Sequence, residues 1–119
     1  MTNTTQALAE VHSVDWDAVP WTPVRPGIER KAFGSDSATV ALHRLMPGHE
    51  PRPHSHPNEQ IVYIMAGCID FHVADKVVRL HAGGLLVVPP GIEHYGVVVG
   101  AEPVLNLDIF TPARPEYLK

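Results

Sequence analysis

The sequence predicts a small all-β domain, a two-layered sandwich or closed barrel of short strands. Three observations carry this. Twelve prolines and nine glycines in 119 residues are too many punctuation points for a helical bundle. From position 38 onward, short apolar runs rich in β-branched residues recur roughly every ten residues, separated by turn signals. One run, Gly84 to Val88, has no polar alternation and reads as a strand buried on both faces, which needs a closed or two-layered sheet.

In chain order, residues 1 to about 27 carry Trp16, Trp21, Pro20, Pro23 and Pro26, a composition suited to an extended arm laid across a sheet. Only Thr5 to Val11 suits a short turn of helix. Seven strands follow: Ala38 to Met46, Gln60 to Ala66, Ile69 to Ala74, Val77 to His81, Leu85 to Val88, His94 to Val99, and Val104 to Phe110. The breaks carry Pro47-Gly48, Gly67, Asp75-Lys76, Gly83-Gly84, Pro89-Pro90-Gly91 and Gly100, residues that supply positive or fixed φ. Between Ile69 and Val73 apolar residues alternate with Asp70 and His72, so that strand has one wet face. The tail, Thr111 to Lys119, is broken by Pro112 and Pro115. The expected organisation is one domain: an arm over 1–27, a barrel over about 28–110 and a tail over 111–119.

Composition narrows the function. Lys+Arg number 9 against Asp+Glu 13, a formal net charge of -4, with no basic run, so nucleic acid is not an expected partner. Cys68 is alone and forms no internal disulfide, which agrees with a reducing compartment. Met1 to Glu10 carries neither the basic nor the apolar segment of a signal peptide, and no apolar run is long enough to span a membrane. The expectation is a soluble, cytoplasmic chain with no membrane partner.

Eight histidines nearly match all the lysines and arginines together. Two of them, His54 and His56, stand at i and i+2 in Gly48-His-Glu-Pro-Arg-Pro-His-Ser-His-Pro-Asn-Glu-Gln60. On an extended chain that spacing turns both imidazoles to one face, as neighbouring metal ligands require. Gln60 falls on the same face, whereas parity places Glu59 on the other. Far along the chain, His94 opens another strand just after Pro89-Pro90-Gly91. His12, His43, His49, His72 and His81 are read as surface or satisfied core residues.

These residues resemble the two motifs of a small single-domain cupin. Gly48, His54, His56, position 60 and Gly67 meet the first, with Gln60 where the family has Glu. Gly83, Pro89, Gly91 and His94 meet the second, whose final Asn is replaced by Val98. The resemblance implies a conical β-barrel, commonly a homodimer, holding one divalent ion (Zn, Ni, Fe, Mn or Co) through His54, His56, Gln60 and His94. Gln60 is either a ligand or a hydrogen-bond partner of a metal-bound water. Three imidazoles and an amide are all neutral, so such a shell leaves the ion its full charge. That favours an anionic ligand and Lewis-acid chemistry.

Within the cupins, residues 54–63 and 107–118 are similar to the KdgF-type pectin-degradation cupins, which convert unsaturated monouronates into open-chain keto forms. Their pocket Asp, Phe and Arg match Asp108, Phe110 and Arg114, and Gln at position 60 is also a feature of that subgroup. Taken by themselves, these residues fit the chemistry. Asp108 lies between Leu107 and Ile109, where desolvation would raise its pKa and suit it to proton transfer. Arg114, stiffened between Pro112 and Pro115, could clamp a substrate carboxylate, and Phe110 could stack on a sugar or cover the mouth. The plainer roles are a strand-edge acid, a surface partner for Glu116 and a core residue. The expected function is metal-dependent isomerisation or ketonisation of a small anionic sugar derivative. The rivals are a metal-dependent dioxygenase or polyketide cyclase, and a non-catalytic module that binds small acids.

Overall fold

The computed structural model describes residues 11–118. They form nine strands: β1 (Thr22–Arg25), β2 (Ile28–Gly34), β3 (Thr39–Leu45), β4 (Glu59–Ala66), β5 (Cys68–Val73), β6 (Lys76–His81), β7 (Leu85–Val88), β8 (His94–Val98) and β9 (Val104–Thr111). All pair antiparallel, in a six-stranded sheet ordered β1-β2-β3-β9-β4-β7 and a three-stranded sheet ordered β6-β5-β8. The domain is all-β, as composition and run spacing required. The inner faces pack around Ile28, Leu45, Val62, Ile64, Ile69, Phe71, Leu80, Val88 and Val104. Burying each such side chain contributes about 1.5–3 kcal/mol before entropy is counted.

The seven strands read from the sequence are β3 to β9. The arm differs. Trp16–Ala18 is a 3-10 turn capped by the Asp15 carboxylate, which accepts from the Asp17 amide at 3.1 Å, and Thr22–Arg25 joins the large sheet as its edge. β2 escaped the sequence pattern because Arg30 faces the cavity and the buried Lys31 sits between Arg30 and Ala32, so no apolar alternation survives. Lys31 is accommodated by donating to the Trp16 carbonyl at 2.6 Å and lying over the Trp21 ring. The helical turn expected over Thr5 to Val11 lies outside the described residues apart from Val11.

β7 corrects a second expectation. Leu85 and Val87 are 66% and 54% exposed, so the run is buried on one face only. Its apolar outer positions continue across the sheet through Tyr63 and Ile61, their directly paired neighbours on β4, and Met65 beyond them.

Two turns set the frame of the site. Gly67, at φ 88°, joins β4 to β5 where a Cβ would stand 2.6 Å from the Pro103 carbonyl oxygen, so both conformation and space require glycine. Gly91, at φ 76°, closes the Pro89-Pro90-Gly91 turn and donates its amide to the His56 carbonyl at 2.8 Å. The turn ahead of β8 is thereby tied to the loop ahead of β4.

Candidate metal centre

His54 and His94 form an isolated antiparallel bridge, each amide donating to the other's carbonyl at 3.1 and 2.9 Å. Cross-strand partners present side chains to the same face, and here the two ring centroids are 4.4 Å apart. His56, two residues on, brings its ring to 4.9 Å from that of His94. One ring nitrogen from each of the three lies within 4.8 Å of the others. Gln60 enters from the start of β4, buried, while Glu59 is exposed on the opposite face.

Hydrogen bonds fix how the imidazoles point. Nδ1 of His54 donates to the Arg52 carbonyl (2.8 Å), Nδ1 of His56 to the Asn58 carbonyl (3.0 Å) and Nδ1 of His94 to the Ile92 carbonyl (2.8 Å). A neutral imidazole that donates through Nδ1 offers a lone pair at Nε2, the arrangement usual behind metal-ligating histidines. Burial, the largest cause, holds His54 and His94 below the usual imidazole range and keeps those lone pairs free of protons.

Two further observations fit a cation. His94 Nε2 is buried without a hydrogen-bond partner among the described residues. Gln60 Nε2 donates to Asp108 Oδ1 at 2.8 Å, which turns Gln60 Oε1 toward His56 Nε2 at 3.0 Å. With Nδ1 of His56 committed to Asn58, that short approach sets a lone pair against a carbonyl oxygen. Two acceptors facing each other need a cation or an extra proton near them. The four side chains can therefore hold a divalent ion, with Gln60 Oε1 as the oxygen donor.

Behind Gln60 lies a buried polar chain. Asp108, 2% exposed, also accepts from Asn106 Nδ2 (3.0 Å) and pairs with His43 Nδ1 (2.9 Å). His43, read as a bystander, lines the same cavity of about 190 Å³ as His54, Gln60, His94 and Asp108. Its cross-strand partner in the β3–β9 register is Asn106. Parity carried the signal: Thr39, Ala41, His43 and Leu45 share one face of β3, and three of them are buried. His12, His49 and His72 lie outside this group, and His49 is buried with its Nδ1 unpartnered among the described residues. His49 accepts from the Val98 amide, His72 stacks on Tyr95, and His12 contacts Phe33 and the Gly34 carbonyl.

Phe110 is 1% exposed and meets His56 and Tyr117 edge-on in the cavity wall. Arg114 is placed differently from a cavity-facing clamp. Its Nε donates to Glu116 (3.2 Å), its Nη1 to the Tyr117 hydroxyl (2.8 Å), and its guanidinium lies over the Phe110 and Tyr117 rings, outside the cavity lining. Tyr117, from a closing 3-10 turn, is the tail residue that reaches the cavity. Nothing in the spacing of the tail singled it out. Asn58 was also missed. It ties the ligand loop to the tail by donating to the Pro112 carbonyl at 2.6 Å.

The cupin domain family model matches residues 41–110. Among solved structures, KdgF from Halomonas sp. is similar at 26% identity, with a TM-score of 0.77 over 84% of this chain and 94% of that one. An RmlC-like cupin from Shewanella frigidimarina superposes with a TM-score of 0.82 at 22% identity over 92% of this chain and 97% of its own. Oxalate decarboxylase from Lactobacillus farciminis, a formate complex, matches with a TM-score of 0.72 at 22% identity over 82% of this chain and 32% of that one. The last two bear on the fold alone. No curated protein gives a significant match. With the domain model spanning more than half of the chain and both of its histidine motifs meeting at one cavity, the chain belongs to the cupin family.

Proposed function

We propose that this cupin is a divalent-metal-dependent catalyst of ketonisation, acting on a small carboxylated, enolisable sugar derivative such as an unsaturated uronate. The observation that carries this reading is a neutral His54, His56, His94 and Gln60 donor set beside one buried carboxylate, Asp108, in a single cavity. The similarity to KdgF from Halomonas sp. supports it. A bound divalent ion supplies Lewis-acid stabilisation of negative charge on an enol oxygen. The protein's own groups do the rest. The imidazoles, locked through Nδ1, hold a fixed geometry. Asp108 takes the enol proton on a carboxylate oxygen and returns it to carbon, so the enol O–H becomes a ketone C–H with nothing added or lost. His43 and Asn106 hold the carboxylate in place throughout.

The test is a ketonisation assay on unsaturated galacturonate with metal-loaded protein. Acceleration that disappears with chelator is expected; no acceleration at enzyme levels near those of the substrate overturns the uronate reading. Oxygen uptake by the iron-loaded protein with a diketone would instead favour the oxygenase.

The reading includes a homodimer. Ile61, Tyr63, Met65, Leu85 and Val87 form a contiguous exposed apolar strip without a charge among them, and β7 is the sheet's edge. A strip this apolar suits a permanent, self-complementary partner more than a transient one, and a second copy is that partner. Sedimentation is expected to give a dimer for the wild type and a monomer for Leu85→Glu/Val87→Glu. A monomeric wild type at micromolar concentration overturns it.

A further inference from the structure

The fold divides the six arginines into two sets of three. Arg44 pairs with Glu29, Arg79 with Asp70 and Arg114 with Glu116. Arg25, Arg30 and Arg52 make no ion pair among the described residues, and these are the three that line the cavity. Arg25 donates only to the Glu50 carbonyl, at 3.1 Å. Arg30 lies 3.8 Å over the Tyr117 ring, and Arg52 is exposed at the cavity wall. The acid within the cavity, Asp108, is committed to Gln60, Asn106 and His43.

This crowding is electrostatically unfavourable. Burial first, and the charge of Arg52 next, push the Arg25 guanidinium below its usual value. Cations thus gather against their own repulsion in a chain whose formal net charge is -4. A bound anion would relieve that repulsion, which favours this cluster over isolated surface arginines as an anion site.

We propose that Arg25, Arg30 and Arg52 are the carboxylate-recognising rim of the cavity, holding a small acid by its carboxylate at the mouth with its reacting end toward His54, His56 and His94. The proposal rests on the reading that the cavity takes a small carboxylated molecule, and adds which residues select it. A guanidinium fork matches a carboxylate with two parallel hydrogen bonds. Arg114 is set apart from this rim: it is ion-paired with Glu116, and its guanidinium lies outside the cavity lining.

Calorimetric titration of the metal-loaded protein with galacturonate and with neutral galactose tests this. The wild type is expected to bind galacturonate at least about tenfold more tightly than galactose. Arg25→Gln, Arg30→Gln and Arg52→Gln should each weaken galacturonate binding by about tenfold, the loss of one charge-assisted contact. Galactose binding, metal content and melting temperature should stay unchanged, and Arg114→Gln should alter galacturonate binding far less. Wild-type galacturonate affinity in Arg25→Gln/Arg52→Gln overturns the rim, as does a wild type with no preference for the acid. Inorganic phosphate displacing galacturonate at equal concentration would make the ligand a phosphate ester and overturn the carboxylate assignment. Rim-dependent binding without ketonisation would defeat the enzymatic reading and leave the rim standing. Full ketonisation in Arg25→Gln/Arg52→Gln would do the reverse.

Discussion

His94→Ala is expected to lower divalent-metal affinity by at least about 100-fold, and with it the heat stability that metal confers. A ligand histidine supplies the bond itself, whereas even the groups behind a ligand change affinity by roughly 10–100-fold. His94 is 2% exposed, its Nδ1 is committed to the Ile92 carbonyl, and its buried Nε2 has no hydrogen-bond partner among the described residues. Metal at 100 times its dissociation constant stabilises a folded protein by about 2.7 kcal/mol. That increment should vanish from the difference between the metal-loaded and metal-free melting curves of the variant, a difference in which the cost of deleting the buried ring cancels.

Acid should act on the metal-free wild type in the same direction. His54 and His94 titrate below the usual imidazole value of about 6.5 because burial disfavours their charged forms. As pH falls, the unfolded chain therefore takes up protons before the folded one does. Their contribution to stability is complete above about pH 6.5 and is lost progressively below it, toward the lower folded values. His94→Ala should flatten that loss. Urea midpoints at pH 7.5 and 5.5, with inductively coupled plasma analysis of bound metal, measure both effects. Wild-type metal content in the variant would remove the three-histidine centre from consideration.

Why the sequence exposed some of this and hid the rest follows from where polar residues point. β3 to β9 were legible because glycine or proline marks every break except the Ala74-Asp75 turn between β5 and β6, where Asp75 is the signal. The ligands were legible because His54 and His56 share parity and His94 follows a fixed turn. β2 was hidden because a cavity reverses the usual pattern: Arg30 faces inward and stands between two further charged residues, Glu29 and Lys31. β7 was misread for the opposite reason. Leu85 and Val87 are apolar but point outward, onto a strip that the single chain leaves uncovered. His43 was discounted because parity, which sets it on the inner face of β3 with Thr39, Ala41 and Leu45, does not say what a lone histidine meets there. Its meaning comes from register with Asn106 and contact with Asp108, 65 positions away. For Arg114 the plainer of its two roles, pairing with Glu116, is the one seen; what stayed hidden is the closing 3-10 turn, which puts Tyr117 into the cavity.

The residue at position 60 and the one at 108 should prove inseparable. As a carboxylate, Asp108 only accepts hydrogen bonds, so it dictates that Gln60 present Nε2 to it and Oε1 to the histidines. Gln60→Glu would set a second carboxylate where the first is now 2.8 Å from an amide nitrogen. Two carboxylates that close cannot both ionise, so one proton is shared between them. The variant is expected to keep its metal, because a carboxylate oxygen replaces an amide oxygen. It should lose about 100-fold or more in turnover, because the proton carrier is already loaded. Asp108→Asn should likewise keep metal to within about tenfold and lose about 10²–10⁴ in turnover, the usual scale for a proton-transferring group. The decisive measurement is the double variant. In Gln60→Glu/Asp108→Asn the new amide at 108 donates to the new carboxylate at 60, so the pairing is restored with its donor and acceptor exchanged. Metal affinity should then exceed that of either single variant, a coupling that independent sites do not show, while turnover stays low because no carboxylate at 108 remains to move the proton. Additive metal affinities would mean that Asp108 does not orient Gln60. Wild-type turnover in Asp108→Asn would take the proton-transfer role away from Asp108.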